Sequence, residues 1–457
     1  MHPSYESLLN DVRERSLRYL RQIGERRVAP SPQALDDLAK LGGPLPSHGE
    51  DPAAVIGLLD EIGSPATMAT VGPRFFGFVV GGALPATVAA QWLAAVWDQN
   101  ACVRDLSPVA AKCEEVALEW LTDLLQLPGA CAGAFVTGAQ MANFTALAAA
   151  RHAALQQVGW DVEAHGLFGA PPITVVVGDE AHVTVLKALT MLGLGRERIV
   201  RVPADSQGRL RVEAIPHFSA PAIVCAQVGN VNTGACDPLA EICDLAHQRS
   251  AWVHVDGAFG LWAAASPAKR DLMRGVERAD SWAFDAHKWL NVPQDCGIAL
   301  VRDVTALRAA MAISAGYLGT GESREPMQLG PESSRRARGV EVWTALRHLG
   351  RQGVIELVER SCDQARRFAA GLQQAGFEVL NDVTLNQVLV SFGHPELTHR
   401  VVREIQNEGT CWCGGTVWQG RTAMRISVCN WATTDADIDT SLAAVIRIAS
   451  SAASAAG

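Results

Sequence analysis

Trp252-Val253-His254-Val255-Asp256-Gly257-Ala258 is an apolar run that ends on a carboxylate and two small residues. Similar short runs flank it on both sides. Ala134–Thr137, Ile173–Gly178, Ile199–Pro203 and Ala222–Val228 precede it, and Ser281–Phe284 and Gly297–Val301 follow. Helix-patterned stretches at 140–156, 182–192 and 237–249 lie between most of them. Continuous apolar strands alternating with helices are the pattern of a mainly parallel sheet covered on both faces. The chain therefore predicts an α/β sheet of about seven strands. Ligands of such sheets collect at the carboxyl ends of strands, so the residues that end each run carry the functional question.

The flanking regions read differently. Residues 1–70 are helical and polar-rich, broken at Ala29-Pro30-Ser31-Pro32 and Gly42-Gly43-Pro44-Leu45-Pro46. Residues 1–75 read as an arm that packs against another surface, and 76–340 as the large α/β unit. A helix is predicted at about 108–126, capped by Ser107 with Pro108 in its first turn. Val116, Trp120, Leu121, Leu124 and Leu125 form its apolar face. Gly316 to Arg338 is rich in Gly, Pro, Glu and Arg and reads as a long loop. Residues 341–457 make a smaller α/β unit, with a helix near Val340–Arg367 and strands at Gln387–Phe392 and Met424–Val428.

Bulk properties exclude several classes. At 457 residues the chain exceeds one ordinary core, and 48% apolar with 19% charged residues is a buried globular composition. A net charge of −9 with no basic block argues against nucleic acid or an anionic membrane as the main partner. The N-terminus lacks a secretory pattern. The apolar stretch Phe75–Trp97 is broken by Gly81-Gly82, Pro85 and Gln91, which disfavours a membrane span. None of the 11 cysteines form a CxxC pair, and Cys411-Trp412-Cys413 supplies no four-ligand metal set. Free thiols in a reducing cytoplasm are the simplest account, and no metal is expected.

Four strand-end elements carry chemistry. Lys288, one of five lysines against 34 arginines, lies in Phe284-Asp285-Ala286-His287-Lys288-Trp289-Leu290. Desolvation lowers an amine's pKa and makes it a better nucleophile, which suits a lysine that forms a Schiff base. Asp256, poorly solvated at a strand end, wants a cation such as a protonated pyridine nitrogen, with Gly257 and Ala258 leaving room for a flat ring. His182, in Gly178-Asp179-Glu180-Ala181-His182, starts a helix after a strand and could stack on an aromatic cofactor and supply a proton. Thr137-Gly138-Ala139-Gln140 turns a strand into a helix N-terminus, a seat for phosphate. Each has a bland alternative: a solvated lysine, a turn-capping aspartate, a structural histidine, an ordinary strand–helix turn. Taken jointly, a phosphate seat, an aromatic platform, a buried aspartate and a nucleophilic lysine describe pyridoxal 5′-phosphate (PLP).

Over nearly its whole length the chain resembles the group II PLP-dependent amino acid decarboxylases, the family of aromatic-L-amino-acid, histidine and glutamate decarboxylases. Pro73-Arg74-Phe75-Phe76-Gly77-Phe78 resembles the family's substrate-pocket segment. "DEAHVTVLKA", "VGNVNTGACDP", "HVDGAFG", "DAHKWLNVPQDCG" and "SRRARGVEVWTALRHLGRQG" follow in the family's order. The resemblance implies PLP fold type I and a homodimer with its active site at the subunit interface, the N-terminal arm wrapping the partner. Lys288 would carry the cofactor, Asp256 would pair with the ring nitrogen, and Ala258 and His182 would touch the two ring faces. Gly138, Ala139, Gln140, His287 and Asp285 would surround the phosphate, and Thr233 would be a polar contact near the cofactor. The implied reaction converts an L-amino acid to its amine and CO₂.

Some features depart from the family. A mobile-loop tyrosine delivers the final proton in aromatic decarboxylases, and its loss in related enzymes goes with aldehyde formation. This chain has only Tyr5, Tyr19 and Tyr317, and Gln140 stands where the aromatic decarboxylases carry a serine. Aldehyde synthase, Cα–Cβ lyase and aminotransferase stay open as alternatives, as does a catalytically silent homologue. Phe75, Phe76, Phe78, Trp97, Trp412 and Trp418 suggest a bulky aromatic or apolar substrate, although packing is the ordinary role of each. Arg74, Arg104 and Arg425 are all conceivable receivers of an acidic side chain.

Overall fold

The computed structural model describes residues 4–312 and 324–454. Seven strands build the main sheet: β1 (Ala132–Val136), β2 (Thr174–Gly178), β3 (Val200–Val202), β4 (Ala222–Gln227), β5 (Trp252–Asp256), β6 (Ser281–Asp285) and β7 (Gly297–Val301). Each apolar run of the sequence is a strand, with every boundary within two residues of the prediction. The spatial order is β1-β7-β6-β5-β4-β2-β3.

β7 alone runs antiparallel to both neighbours. The chain between β6 and β7 spans only residues 286–296 and contains no crossover helix, so it returns in the opposite sense. The remaining strands share one direction. The carboxyl ends of β1, β2, β5 and β6 consequently meet at one edge.

Strand alternation sorts the side chains into two cores. Val253, Val255, Trp282, Phe284, Ile298 and Leu300 face Leu121, Leu125 and Ile242 on one side. On the other side the helix Ala139–Gln156 lays Ala142, Ala146, Ala149 and Ala150 against Val136, Ala283 and Ala299. Alanine at these positions lets the helix backbone approach the sheet closely.

The helix at Pro108–Leu124 is present, but Ser107 does not cap it. Its hydroxyl donates instead to Gln99 Oε1 at 3.0 Å. Four antiparallel strands form a second sheet: β8 (Glu378–Val379), β9 (Gln387–Ser391), β10 (Gly414–Trp418) and β11 (Arg421–Ser427), ordered β10-β11-β9-β8. The helices Arg338–Gln374, Pro395–Glu408 and Asp435–Ser454 pack around it, and the first of these breaks at Gly350, where φ is 61°. Arg74 fastens the N-terminal region to this unit by donating to Gly24 O at 2.7 Å and Thr410 O at 2.8 Å.

One polar chain runs through the alanine-side core. The Trp252 indole donates to Ser281 Oγ at 2.9 Å, and Ser281 Oγ lies 2.9 Å from His254 Nδ1. His254 Nε2 lies 2.8 Å from Asn143 Oδ1. The amide oxygen can only accept, so Nε2 carries the imidazole proton and the Ser281 hydroxyl donates to Nδ1. Burial pushes His254 down from 6.5 to about 3. The unfolded chain therefore takes up a proton that the folded chain refuses. Stability from this group is complete above pH 6.5 and is lost as pH falls toward 3, by about 1.4 kcal/mol per pH unit. Urea midpoints measured between pH 6.5 and 4.5 are expected to fall more steeply for the natural protein than for His254→Gln.

Candidate active site

The four predicted elements converge at the shared strand edge. Gly138 follows β1 and precedes the helix Ala139–Gln156 with extended backbone angles. Gly297 at the start of β7 makes room for it, because a Cβ there would lie 2.4 Å from the Gly138 carbonyl carbon. His182 follows β2 as the N-cap of the helix Val183–Met191, with Nδ1 2.7 Å from Thr184 Oγ1. Asp256 ends β5, and Lys288 lies three residues beyond the end of β6.

Asp285 ties these elements together. Its Oδ2 lies 2.9 Å from Lys288 Nζ, and its Oδ1 accepts the Ala139 N–H at 2.5 Å. His287 Nε2 stands 3.7 Å from the same Oδ2, while its Nδ1 lies against the backbone of Cys296. The first N–H of the predicted phosphate seat thus meets the carboxylate that also holds the lysine. Burial pushes His287 below its ordinary value, against the opposing charge of Asp285.

Asp256 is 5% exposed and accepts one hydrogen bond, from the Ala258 N–H at 3.1 Å. Among the described residues it forms no ion pair. Burial raises its pKa, while His182 and Lys288 pull it back. Burial lowers His182 in turn; Asp256 opposes this, and Lys288 and Arg425 add to it. An acid pushed toward neutrality at a strand end, beside the small Ala258, is what a protonated ring nitrogen would recharge. The residues present therefore fit PLP.

Other predicted positions make contacts of their own within the fold. The Thr233 hydroxyl donates to Gln207 O at 2.6 Å and accepts from the Ala235 N–H. Gln140 points its amide at Met191 Sδ, 3.7 Å away. Phe76, expected at the substrate, is 1% exposed and packs edge-on against Phe368 in the core of the smaller unit. Its own N–H donates to Trp412 O and its carbonyl accepts from the Ser427 N–H, both at 2.9 Å, which seats the residue in that unit. Trp97, also expected at the substrate, ends the helix Pro85–Trp97 with 44% exposure. Phe78 is 64% exposed and stacks on Trp412, whose ring also stacks on Phe75. Trp418 is core. Tyr317 lies outside the described residues.

Asn291 escaped the sequence reading. It is fully buried with φ at 58°, a conformation asparagine tolerates better than most residues. Its Oδ1 accepts from Gly82 N at 2.7 Å and Trp431 N at 2.9 Å, and its Nδ2 donates to Trp289 O and Cys429 O. The Lys288 loop, the segment after Phe78 and the start of the C-terminal turn are joined by one amide. Gly81 completes the join, since a Cβ there would lie 1.8 Å from Lys288 O. The available signal was an asparagine placed among apolar residues directly after the lysine motif.

A family model for the pyridoxal-dependent decarboxylase conserved domain matches residues 40–393. The chain belongs to this family. It is a PLP-dependent amino acid decarboxylase with the fold type I architecture. It is 28% identical over 418 residues to an aromatic-L-amino-acid decarboxylase of Bacillus atrophaeus, covering 86% of this chain and 85% of that one. An L-2,4-diaminobutyrate decarboxylase of Rhizobium meliloti is 29% identical over 420 residues, covering 87% and 81%. The crystal structure of Oryza sativa TDC with PLP and tryptamine superposes with a TM-score of 0.89 over 99% of both chains at 23% identity, a likeness of fold. No helix among the described residues is long and apolar enough to cross a membrane.

Replacing Asn291 by leucine removes four hydrogen bonds to backbone groups, two of them buried and two half-buried. The expected loss is about 3–5 kcal/mol, read from the urea midpoint of the full chain.

Proposed function

We propose that the enzyme decarboxylates an aromatic or bulky apolar L-amino acid to its amine, with Lys288, Asp256 and His182 as the catalytic residues. The observation that carries this reading is Asp256, a buried carboxylate without an ion-pair partner among the described residues, at the strand edge shared with Lys288 and His182. When bound there, PLP supplies an electron sink for the bond to the departing carboxylate. Lys288 attaches the cofactor, and Asp285 holds its Nζ in place. Asp256 keeps the ring nitrogen protonated and accepts the Ala258 N–H beside one ring face. His182 covers the other face and, in its protonated form, returns a proton to Cα. Gly138, Ala139, Gln140 and His287 surround the phosphate, and Thr233 holds the loop beside it.

Contacts separate the three candidate arginines. Arg74 is committed to Gly24, Thr410 and Asp437, and Arg104 to Glu115. The Arg425 side chain on β11 makes no hydrogen bond or ion pair among the described residues, yet its charge acts on His182. It is the receiver of the α-carboxylate in this reading. The exposed Phe78, backed by the half-buried Trp412 on which it stacks, offers an apolar surface to the side chain.

A panel of amino acids, with CO₂, amine and aldehyde followed together, tests the proposal. Aromatic amino acids are expected to give amine and CO₂ in equal amounts. Aldehyde with ammonia, or a preference for acidic amino acids, would overturn it. Lys288→Ala is expected to abolish turnover, and Asp256→Ala to lower kcat by about 10²-fold or more. Arg425→Met is expected to raise KM by about tenfold or more.

A second copy of the chain is the proposed partner. Val88, Trp92, Leu93, Val96 and Trp97 are exposed on the helix Pro85–Trp97, and the N-terminal helix Tyr5–Gln22 buries no residue. An apolar face of this extent marks an interface. Sedimentation is expected to give a dimer, with Leu93→Asp and Val96→Asp together shifting it to monomer. A monomeric natural protein at micromolar concentration would refute the assignment.

A further inference from the structure

We infer that His254 is a positioning residue: through Asn143 it fixes the helix Ala139–Gln156 along its axis, so that the first turn meets the phosphate of the cofactor. The inference rests on the phosphate seat proposed above. It goes beyond that seat by naming what holds it in register.

The helix face against the sheet is built from alanines, at 142, 146, 149 and 150. Such a surface packs closely but carries no ridges deep enough to fix sliding or rotation. Polar contacts must set the register. Among the described residues, two hydrogen bonds join this helix to the strands beneath it through a side chain. One is the Ala139 N–H to Asp285. The other is His254 Nε2 to Asn143 Oδ1 at 2.8 Å, one turn further along. Two points about 6 Å apart on the helix axis define both position and direction.

His254 is itself immobile. It lies on β5 two residues before Asp256, so both side chains leave the same face of the strand. It pairs across the sheet with Ser281, whose hydroxyl holds Nδ1 and is held in turn by the Trp252 indole. All three residues of the chain from Ser281 to Asn143 are completely buried. A displacement of Asn143 would therefore have to move β5 or break the hydrogen bond.

The amide at 143 also has a cost that calls for a reason. Asn143 Nδ2 is buried without a hydrogen-bond partner. An apolar residue there would leave no orphan donor. The gain that offsets this cost is the link from Oδ1 to His254. A phosphate bound by backbone N–H groups is sensitive to small helix shifts, whereas a ring held by Asp256 and Lys288 meets this helix indirectly, through the Asp285 side chain.

The test compares two probes on the full-length chain freed of cofactor: pyridoxal 5′-phosphate and pyridoxal, which lacks the phosphate. Absorbance titration gives both dissociation constants, and their ratio reports the phosphate contribution alone. His254→Phe and Asn143→Leu are each expected to lower the preference for the phosphorylated probe by about tenfold, while pyridoxal affinity stays within about threefold. His254→Gln places an amide donor near the Nε2 position and is expected to restore most of the preference. Asn143→Leu removes the orphan donor, so it keeps the test available if His254→Phe fails to fold. An unchanged ratio in Asn143→Leu would overturn the inference while leaving the phosphate seat standing. A natural protein that binds both probes equally would remove the seat, and the inference with it.

Discussion

The carboxylate of Asp285 holds together the parts on which the site depends. One oxygen takes the lysine ammonium and the other takes the first N–H of the helix after β1. Neither partner belongs to the same local element, so the end of β6, the lysine loop and the helix N-terminus are fixed as one unit. Asn291 extends that unit, linking the same loop to the segment around Gly82 and to Trp431 beyond β11. Buried polar groups of this kind are costly when half-satisfied, and here each linking atom has its partner. The lysine is therefore presented from a rigid loop although it lies outside regular secondary structure.

Around that scaffold, burial works against charge. Asp256 is pushed up and His182 and His287 are pushed down, so all three lean toward their neutral forms. Arg425 stays unpaired nearby among the described residues. A site that withholds partners from an acid and a base on facing elements is prepared for a ligand that brings both signs. PLP and an amino acid would do so under the proposed assignment: a ring nitrogen for the aspartate and a carboxylate for an arginine. The same burial that would destabilise the isolated charges makes each interaction stronger once the ligand supplies its counterpart.

The main sheet was legible because each strand is buried on both faces and so reads as an unbroken apolar run. The reversal of β7 was less visible, since it depends on the absence of a helix in residues 286–296 and not on any residue within the strand. Ser107 looked like a cap and is drawn to Gln99, a contact no local rule contains. Phe76 and Phe78 are two residues apart in one motif, yet one ring enters the core and the other stacks at the surface. Backbone direction separates them, with φ of 53° at Phe78 and 58° at Val79.

Residue chemistry alone named the cofactor, because a lysine, an aspartate, a histidine and a glycine turn at successive strand ends have few joint uses. It also named the family, through motifs local enough to read along the chain. Which arginine lacks a partner among the described residues, which asparagine joins three segments and which histidine holds the helix depend on residues more than 100 positions away in sequence, as Asn291 with Trp431 and His254 with Asn143 illustrate, 140 and 111 positions apart. Those assignments belong to folding, where burial removes water and obliges each polar atom to find its match within the protein.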